Sequence, residues 1–138
     1  MSKTLFLILT VLLTGCTAGG TLHRPIADDL NSERANGFLN PEIQMFFGKS
    51  EISGKNLGTY TANKRTNGSN KTPEDACQIA FLSAIKSLQN RAVKQGGNAV
   101  TNIHSYYKNV PQWSDTTYRC EDGHIVTAVT LRGTVIKM

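Results

Sequence analysis

One long helix with marked ends most constrains what this chain can fold into. Thr72 offers a side-chain oxygen to the free N–H groups of a first turn, and Pro73 follows where no backbone donor is needed. The next two residues are acidic and face the positive end of the helix dipole. The glycine pair 96–97 supplies a residue able to adopt a left-handed conformation, so the sequence predicts a helix that ends near Gln95.

Apolar residues recur along this helix at three- and four-residue steps, which indicates one buried face. They are Cys77, Phe81, Ala84, Ile85, Leu88 and Ala92. The side chains expected mostly on the opposite, exposed side are Gln78, Lys86, Gln89, Asn90 and Lys94. A helix with a single apolar face requires a second layer of structure to cover that face.

Strand-like segments that follow the helix supply this layer. Residues 98–107 and 125–136 are rich in Val, Ile, Thr and Tyr, and residues 116–121 are a shorter candidate. Asp122 and Gly123 favour a tight hairpin between the last two, since Gly tolerates the positive φ that such turns require. The predicted fold class is therefore α+β, with one long helix packed on a small, mainly antiparallel sheet.

Upstream of the long helix the pattern is weaker. Residues 26–35 favour a short helix, which ends at Asn36 and Gly37. Residues 43–48 and 57–64 favour two strands joined by a polar segment.

The N-terminus carries the most specific pattern in the chain. An apolar run at 5–13 is too short to span a bilayer and is typical of a secretory signal peptide. The run leads into Leu13-Thr14-Gly15-Cys16, which resembles the lipobox of bacterial lipoproteins. The resemblance implies that Cys16 is diacylated, becomes the new N-terminus after cleavage and is then N-acylated. The alternative is an ordinary signal peptide with a chance cysteine.

Acylation at Cys16 has consequences for location and organisation. Each buried methylene contributes about 0.8 kcal/mol, so two or three acyl chains hold a protein on a membrane where one does not. Residue 17 is Thr rather than Asp, and the sorting rule of Gram-negative lipoproteins then implies the outer membrane, with the periplasmic face expected. We expect a signal peptide at 1–15, an acylated tether with a short helix at 16–40, and an α+β domain at 41–138.

Length and charge limit the remaining possibilities. Removal of residues 1–15 leaves 123 residues, enough for one domain and hardly for two. The whole chain has a formal net charge of +5, but its basic residues are scattered, and the exported location argues against nucleic-acid binding.

Two cysteines remain once Cys16 is acylated. In a compartment that oxidises thiols, Cys77 and Cys120 favour a disulfide that joins the helix to the predicted hairpin. Closing a loop of this length contributes up to about 4 kcal/mol in the chain-entropy model. The alternative is a pair of free thiols, with Cys77 acting as a small apolar residue.

Several short motifs carry a resemblance to a known group of proteins. They are Glu74-Asp75-Ala76-Cys77-Gln78, Gly96-Gly97-Asn98-Ala99-Val100, Ser105-Tyr106-Tyr107-Lys108, Tyr118-Arg119-Cys120 and Leu131-Arg132-Gly133-Thr134. From about Pro41 onward the chain resembles uncharacterised exported proteobacterial proteins that often carry the label "excinuclease ATPase subunit". More distantly, the helix, the Gly-Asn-Ala-Val turn and the two cysteines resemble the outer-membrane stress-sensor lipoprotein RcsF, which has two disulfides where this chain has cysteines for one.

The residues of the chain are inconsistent with the ATPase label. Nucleotide binding of that type requires a glycine-rich loop ending in Gly-Lys-Ser/Thr, and Gly54-Lys55-Asn56 lacks both the upstream glycine pattern and the hydroxyl. The histidines, His23, His104 and His124, are far apart in sequence, so no metal site or catalytic residue is predicted and no cofactor is expected.

An aromatic set is the best candidate for a binding surface. Its members, with one lysine, are Tyr106, Tyr107, Lys108, Trp113 and Tyr118. On alternating strand positions Tyr106 and Tyr107 face opposite sides, so at least one is expected to be exposed. Exposed aromatic residues beside cations suit an envelope protein partner or a glycan, and the alternative is that they cover the edge of the core.

Two classes of function therefore stay open. The first is an outer-membrane lipoprotein that serves as a non-enzymatic interaction or sensing module. The second is a periplasmic small-ligand carrier or envelope enzyme, which requires a concave pocket with convergent polar groups.

Overall fold

A computed structural model describes residues 20–138 of the protein. The expected signal peptide, residues 1–15, and the expected acylation site, Cys16, lie outside the described residues. The helices and strands are β1 (Gly20–Pro25), α1 (Ile26–Leu30), β2 (Gln44–Phe47), β3 (Lys55–Asn67), α2 (Pro73–Gln95), β4 (Ala99–Ser105), β5 (Thr117–Asp122) and β6 (Val126–Lys137). Among residues 20–138, no helix has the length and apolar character needed to cross a membrane.

The long strand β6 is the centre of a six-stranded sheet. On one side, β3 pairs with it antiparallel along almost its whole length, from Lys55 opposite Lys137 to Asn67 opposite Val126. On the other side, β5 pairs with its first residues and β4 with its second half, both antiparallel. β1 adds antiparallel to β5, and β2 adds parallel to β4. The predicted α+β class and the mainly antiparallel sheet are confirmed.

The ends of α2 form as the sequence predicts. The Thr72 hydroxyl accepts the backbone N–H of Asp75 at 3.2 Å, and Pro73 is the first helical residue. Gly96 ends the helix with a left-handed φ of 77°. Gly97 is needed for a different reason, because a Cβ at this position would lie 2.6 Å from a methyl carbon of Val135 on β6.

The core lies between α2 and one face of the sheet. All six helix residues predicted to be buried are buried, and they pack against apolar residues of the strands. The prediction that Gln89 is exposed is wrong, because only 2% of its surface is accessible. Its side chain accepts the N–H of Asn40 at 2.9 Å and donates to the carbonyl of Asn40 at 3.0 Å. The segment before β2 therefore covers a second side of the helix.

The disulfide between Cys77 and Cys120 is confirmed. Both residues are fully buried, and the bond joins the first turns of α2 to β5. The two cysteines are 43 positions apart in sequence, so the bond links the helix to a strand that lies much further along the chain.

The folded unit begins earlier than the predicted boundary at residue 41. Residues 20–25, expected to belong to a tether, form β1, which pairs with β5 from Gly20 opposite Asp122 to Pro25 opposite Thr117. The helix expected at 26–35 is shorter than predicted: the α-helix ends at Leu30, and turns follow it. These residues join the domain because β1 covers the outer edge of β5 and α1 contributes the buried side chain of Ile26.

Candidate binding surface on the open face of the sheet

Within residues 20–138, no α-helix packs on the sheet face opposite α2, and we call this face the open face. Side chains alternate across a strand, so the neighbours of the core residues Ala62, Val129 and Leu131 point to this second face. The strand register aligns three residues of the open face in a row, with Arg132 between Thr61 of β3 and His104 of β4. The open face includes Thr59, Thr61, Asn63, Arg65, His104, Arg119, Glu121, Ala128, Thr130, Arg132 and Thr134.

The segment after β4 places aromatic rings over the open face. β4 ends at Ser105, and a single 3₁₀ turn follows at Tyr107–Asn109. Within it Lys108 has a φ of 51° and Asn109 a φ of 62°, a left-handed conformation that is uncommon outside glycine. The expectation that Tyr106 and Tyr107 face opposite sides is wrong, because the strand ends before them. Both rings are half-buried and lie beside cations of the open face.

The imidazole of His104 stacks on the indole of Trp113. The two rings are stacked with centroids 3.8 Å apart and an interplanar angle of 23°, and Tyr106 meets the imidazole edge-on at 5.8 Å. The Nδ1 atom of His104 lies 2.7 Å from the carbonyl oxygen of Asn102, to which it donates. Trp113 is thereby held in place while 43% of its surface remains exposed.

The environment of His104 favours its neutral form. Burial lowers the pKa of His104 most strongly, the charge of Arg132 lowers it further, and the hydrogen bond to Asn102 opposes both effects. The pKa lies below the ordinary value of 6.5. The imidazole, stacked on the indole, supports Trp113 by direct contact.

Each of the three rings has at least one cation within 5.5 Å of its centroid. Arg132 lies over Tyr106 at 4.8 Å, and Arg119 lies over Tyr107 at 5.0 Å. The ammonium of Lys108 is 5.5 Å from the Tyr107 ring, and that of Lys49 is 5.4 Å from the Trp113 ring. We call this set the cation–aromatic surface, and its members are Lys49, Tyr106, Tyr107, Lys108, Trp113, Arg119 and Arg132.

The cation–aromatic surface carries an excess of positive charge. Arg119 forms an ion pair with Glu121. Within residues 20–138, Lys49, Lys108 and Arg132 form no ion pair with a carboxylate. Three positive charges on this surface therefore remain available to an anionic partner.

Tyr118, predicted as part of the binding surface, lies in the core instead. Its exposed fraction is 2%, and its ring stacks on Phe81 with centroids 3.9 Å apart. The hydroxyl donates to the carboxylate of Asp29. Burial, the hydrogen bond to Asp29 and the charge of Asp29 together raise the pKa of Tyr118. Its position follows from strand alternation, since Tyr118 and Cys120 share the core side of β5 and Arg119 points to the open face.

A hollow adjoins Trp113. It has a volume of about 390 Å³ and is lined by His23, Ser105, Gln112, Trp113, Ser114, Thr117 and Arg119. Of the residues that the structure describes, neither His104 nor a carboxylate lines this hollow. No group of three His, Cys, Asp or Glu side chains in residues 20–138 is arranged to hold a metal ion.

Sequence reasoning identified Tyr106, Tyr107, Lys108 and Trp113 because they are close together along the chain. Lys49 and Arg132 were missed, since they are more than 15 positions from that segment and only the fold brings them to it. Alternation along β6 is the one signal that places Arg132 opposite the core.

Comparisons of this chain with models of known protein families, with curated proteins and with solved structures find no match.

Proposed function

We propose that the protein is an outer-membrane-anchored lipoprotein that acts as a non-enzymatic interaction or sensing module in the cell envelope. In this proposal, acyl chains on Cys16 hold the protein on the periplasmic face of the outer membrane, and the cation–aromatic surface binds an envelope protein. The observation that carries the binding role is the cation beside each of three partly exposed aromatic rings. Tyr, Trp and Arg are the residues that dominate the energy of protein interfaces.

Preorganisation supports this surface as a site of binding. The stack on His104 orients the indole of Trp113, and the left-handed backbone at Lys108 and Asn109 shapes the turn that carries Tyr107. Side chains that are ordered before binding lose less conformational entropy when a partner arrives. Backbone conformations of this kind also cluster at functional sites.

Charge defines the kind of partner. Lys49, Lys108 and Arg132 make no ion pair within the described residues, so a partner with acidic side chains would form ion pairs with them. Such charge complementarity accelerates association and selects against basic partners. We therefore propose an envelope protein with an acidic contact surface.

A small-ligand carrier is the second candidate, and the hollow beside Trp113 is the observation that favours it. Its volume of about 390 Å³ lies within the range of small-molecule pockets, and Ser, Gln, Thr and Arg side chains converge on it. A ligand there would contact the exposed indole and change its fluorescence.

Photocrosslinking in cells tests the proposal. A photoreactive phenylalanine derivative replaces Trp113, and a control variant carries it at Val93, an exposed apolar residue near the end of α2. Mass spectrometry of the purified protein first establishes whether Cys16 is acylated. We expect a discrete protein adduct from position 113 and not from position 93. Equal adducts, or none from position 113 in a folded and acylated protein, would contradict the interaction proposal.

Variants that remove single positive charges show whether the crosslink depends on the cations of this surface. Lys108→Gln and Arg132→Gln are expected to lower the yield of the adduct several-fold, because each removes a cation from the surface. Lys94→Gln is the matched control, since Lys94 is exposed in the last turn of α2, outside this surface. An adduct that depends on Lys94 as much as on Lys108 would indicate a nonspecific attraction to the basic protein.

A further inference from the structure

The turn between β5 and β6 lies beside the first described residue of the chain. Gly20 is paired with Asp122, the last residue of β5, and the turn begins at the next position. Two large apolar side chains are exposed here, Ile125 at 69% and Val126 at 45%. Ile125 is the most exposed large apolar residue among those that the structure describes.

We propose that Ile125 and Val126 insert into the headgroup region of the membrane that holds the protein. The inference rests on the proposed function, because it takes Cys16 as the point of attachment. Three residues separate Cys16 from Gly20. Four steps of extended chain span at most about 14 Å, so the acylated residue keeps Gly20 within that distance of the lipid surface. The turn adjoins Gly20, because Gly20 is paired with Asp122 at the end of β5.

The turn is shaped to present these side chains without rearrangement. The N–H of Gly123 donates to the carbonyl of Val126 at 2.9 Å, and the Thr127 hydroxyl donates to the Asp122 carboxylate at 3.0 Å. The carbonyl of Ile125 accepts the N–H of Gly68 at 2.8 Å, which ties the turn to the end of β3. A turn held on both sides can place two apolar side chains in the interface at little cost in conformational entropy.

Apolar contact rather than net charge makes this end suitable for a lipid surface. The adjoining hollow is lined by Lys71, Glu74, Asp122 and His124, so charges of both signs lie around the turn. Neither an anionic nor a cationic surface is strongly favoured by such a mixture. Exposed Ile and Val side chains gain free energy from transfer into the interface whatever the headgroup charge.

The proposal fixes the orientation of the domain. Pro73 at the start of α2 lines the same hollow as Gly20, so the helix begins at the membrane end. Val93 lies 20 positions further along α2, and a rise of 1.5 Å per residue places it about 30 Å away along the helix axis. The turn and Val93 are thus exposed apolar sites near opposite ends of the domain.

Fluorescence quenching by brominated phospholipids tests this orientation. The chain has one tryptophan, so W113F removes the native signal, and Ile125→Trp or Val93→Trp then adds a single reporter. Both acylated variants are reconstituted in phosphatidylethanolamine and phosphatidylglycerol vesicles with and without bromine on the acyl chains. We expect at least twofold stronger quenching at position 125 than at position 93. Equal quenching in protein with acylated Cys16 overturns the membrane contact and leaves the anchoring proposal standing.

A second measurement avoids the preference of tryptophan itself for the interface. Hydrogen exchange of the turn amides 123–125 is compared between the wild type and Ile125→Asp, both acylated and bound to vesicles. We expect exchange several-fold slower in the wild type, because the inserted turn is shielded from water. Identical exchange overturns the inference, and a chain without acyl groups on Cys16 overturns both the inference and the anchoring on which it rests.

Discussion

Tyr118 donates its phenolic hydrogen to the carboxylate of Asp29, a residue 89 positions earlier in the chain. The same carboxylate accepts hydrogen bonds from Arg24 at 2.9 Å and from Gln78 at 3.0 Å. Only 1% of Asp29 is exposed, so this charge is stable in the core because it is paired and hydrogen-bonded. The cluster joins β1, α1, α2 and β5. Two of its members, Gln78 and Tyr118, are one and two positions from the disulfide cysteines.

Asp29→Ala is expected to lower the free energy of unfolding by about 3–5 kcal/mol. The substitution leaves Arg24 without its carboxylate and removes the acceptor for Tyr118. Tyr118→Phe removes one hydrogen bond to a charged group, and we expect it to lower the free energy of unfolding by about 1.5–3 kcal/mol. Urea unfolding followed by circular dichroism measures both. Asp28→Ala, at the exposed neighbouring position, is the control, and an equal loss there would contradict the role of the cluster.

Gln89→Ala is expected to destabilise the protein by about 1–3 kcal/mol. The substitution leaves both the N–H and the carbonyl of Asn40 without their partner. Hydrogen exchange should show faster exchange of the Asn40 amide than in the wild type. Asn90→Ala changes the exposed adjacent residue of the same helix and should leave stability and exchange unchanged. A similar loss of stability at position 90 would contradict the contact with residue 40 as the cause, because Ala has a higher helix propensity than Gln or Asn and propensity therefore predicts no loss at either position.

Loss of the disulfide is expected to lower the free energy of unfolding by up to about 4 kcal/mol. Replacement of Cys77 and Cys120 by Ala frees a loop of 43 positions in the unfolded chain. The urea midpoints of the double variant and of the wild type measure the effect. A reductant should shift the midpoint of the wild type toward that of the variant and leave the variant unchanged. A reductant that shifts both proteins equally would mean that the bond is not the cause.

Acidification is expected to destabilise the protein partly through His104. The pKa of His104 in the folded protein lies below its ordinary value of 6.5, mainly because of burial and then because of Arg132. The unfolded chain therefore binds a proton at a higher pH than the folded chain does. This contribution to stability is complete above pH 6.5 and is lost as the pH falls from 6.5 toward the pKa of the folded state.

Unfolding of the wild type and of His104→Gln at several pH values between 5 and 8 measures this contribution. The variant should lose less stability than the wild type on acidification below pH 6.5, whatever its stability at neutral pH. Trp113 fluorescence should change over the same range in the wild type, since a charged imidazole would lie under the indole. Parallel stability curves for the two proteins would contradict the prediction.

Local signals in the sequence were sufficient for the parts of the fold that depend on neighbours along the chain. Thr72, Pro73 and Gly96 mark the ends of α2 because capping and left-handed termination involve residues within one helical turn. The pairing of Cys77 with Cys120 was favoured over free thiols, since two cysteines outside the N-terminal motif allow only one bond, and the structure confirms it.

The tertiary structure alone decided which side chains meet. Gln89 is polar on a predicted exposed side, and it is buried because residue 40 packs over it. Tyr118 belongs to the same aromatic set as Trp113 by sequence, yet strand alternation and the buried carboxylate of Asp29 place it in the core. Lys49 and Arg132 join the cation–aromatic surface from distant strands and loops. Contacts of this kind depend on sheet register and on strand ends, which are set by the packing of the whole domain and not by any short segment.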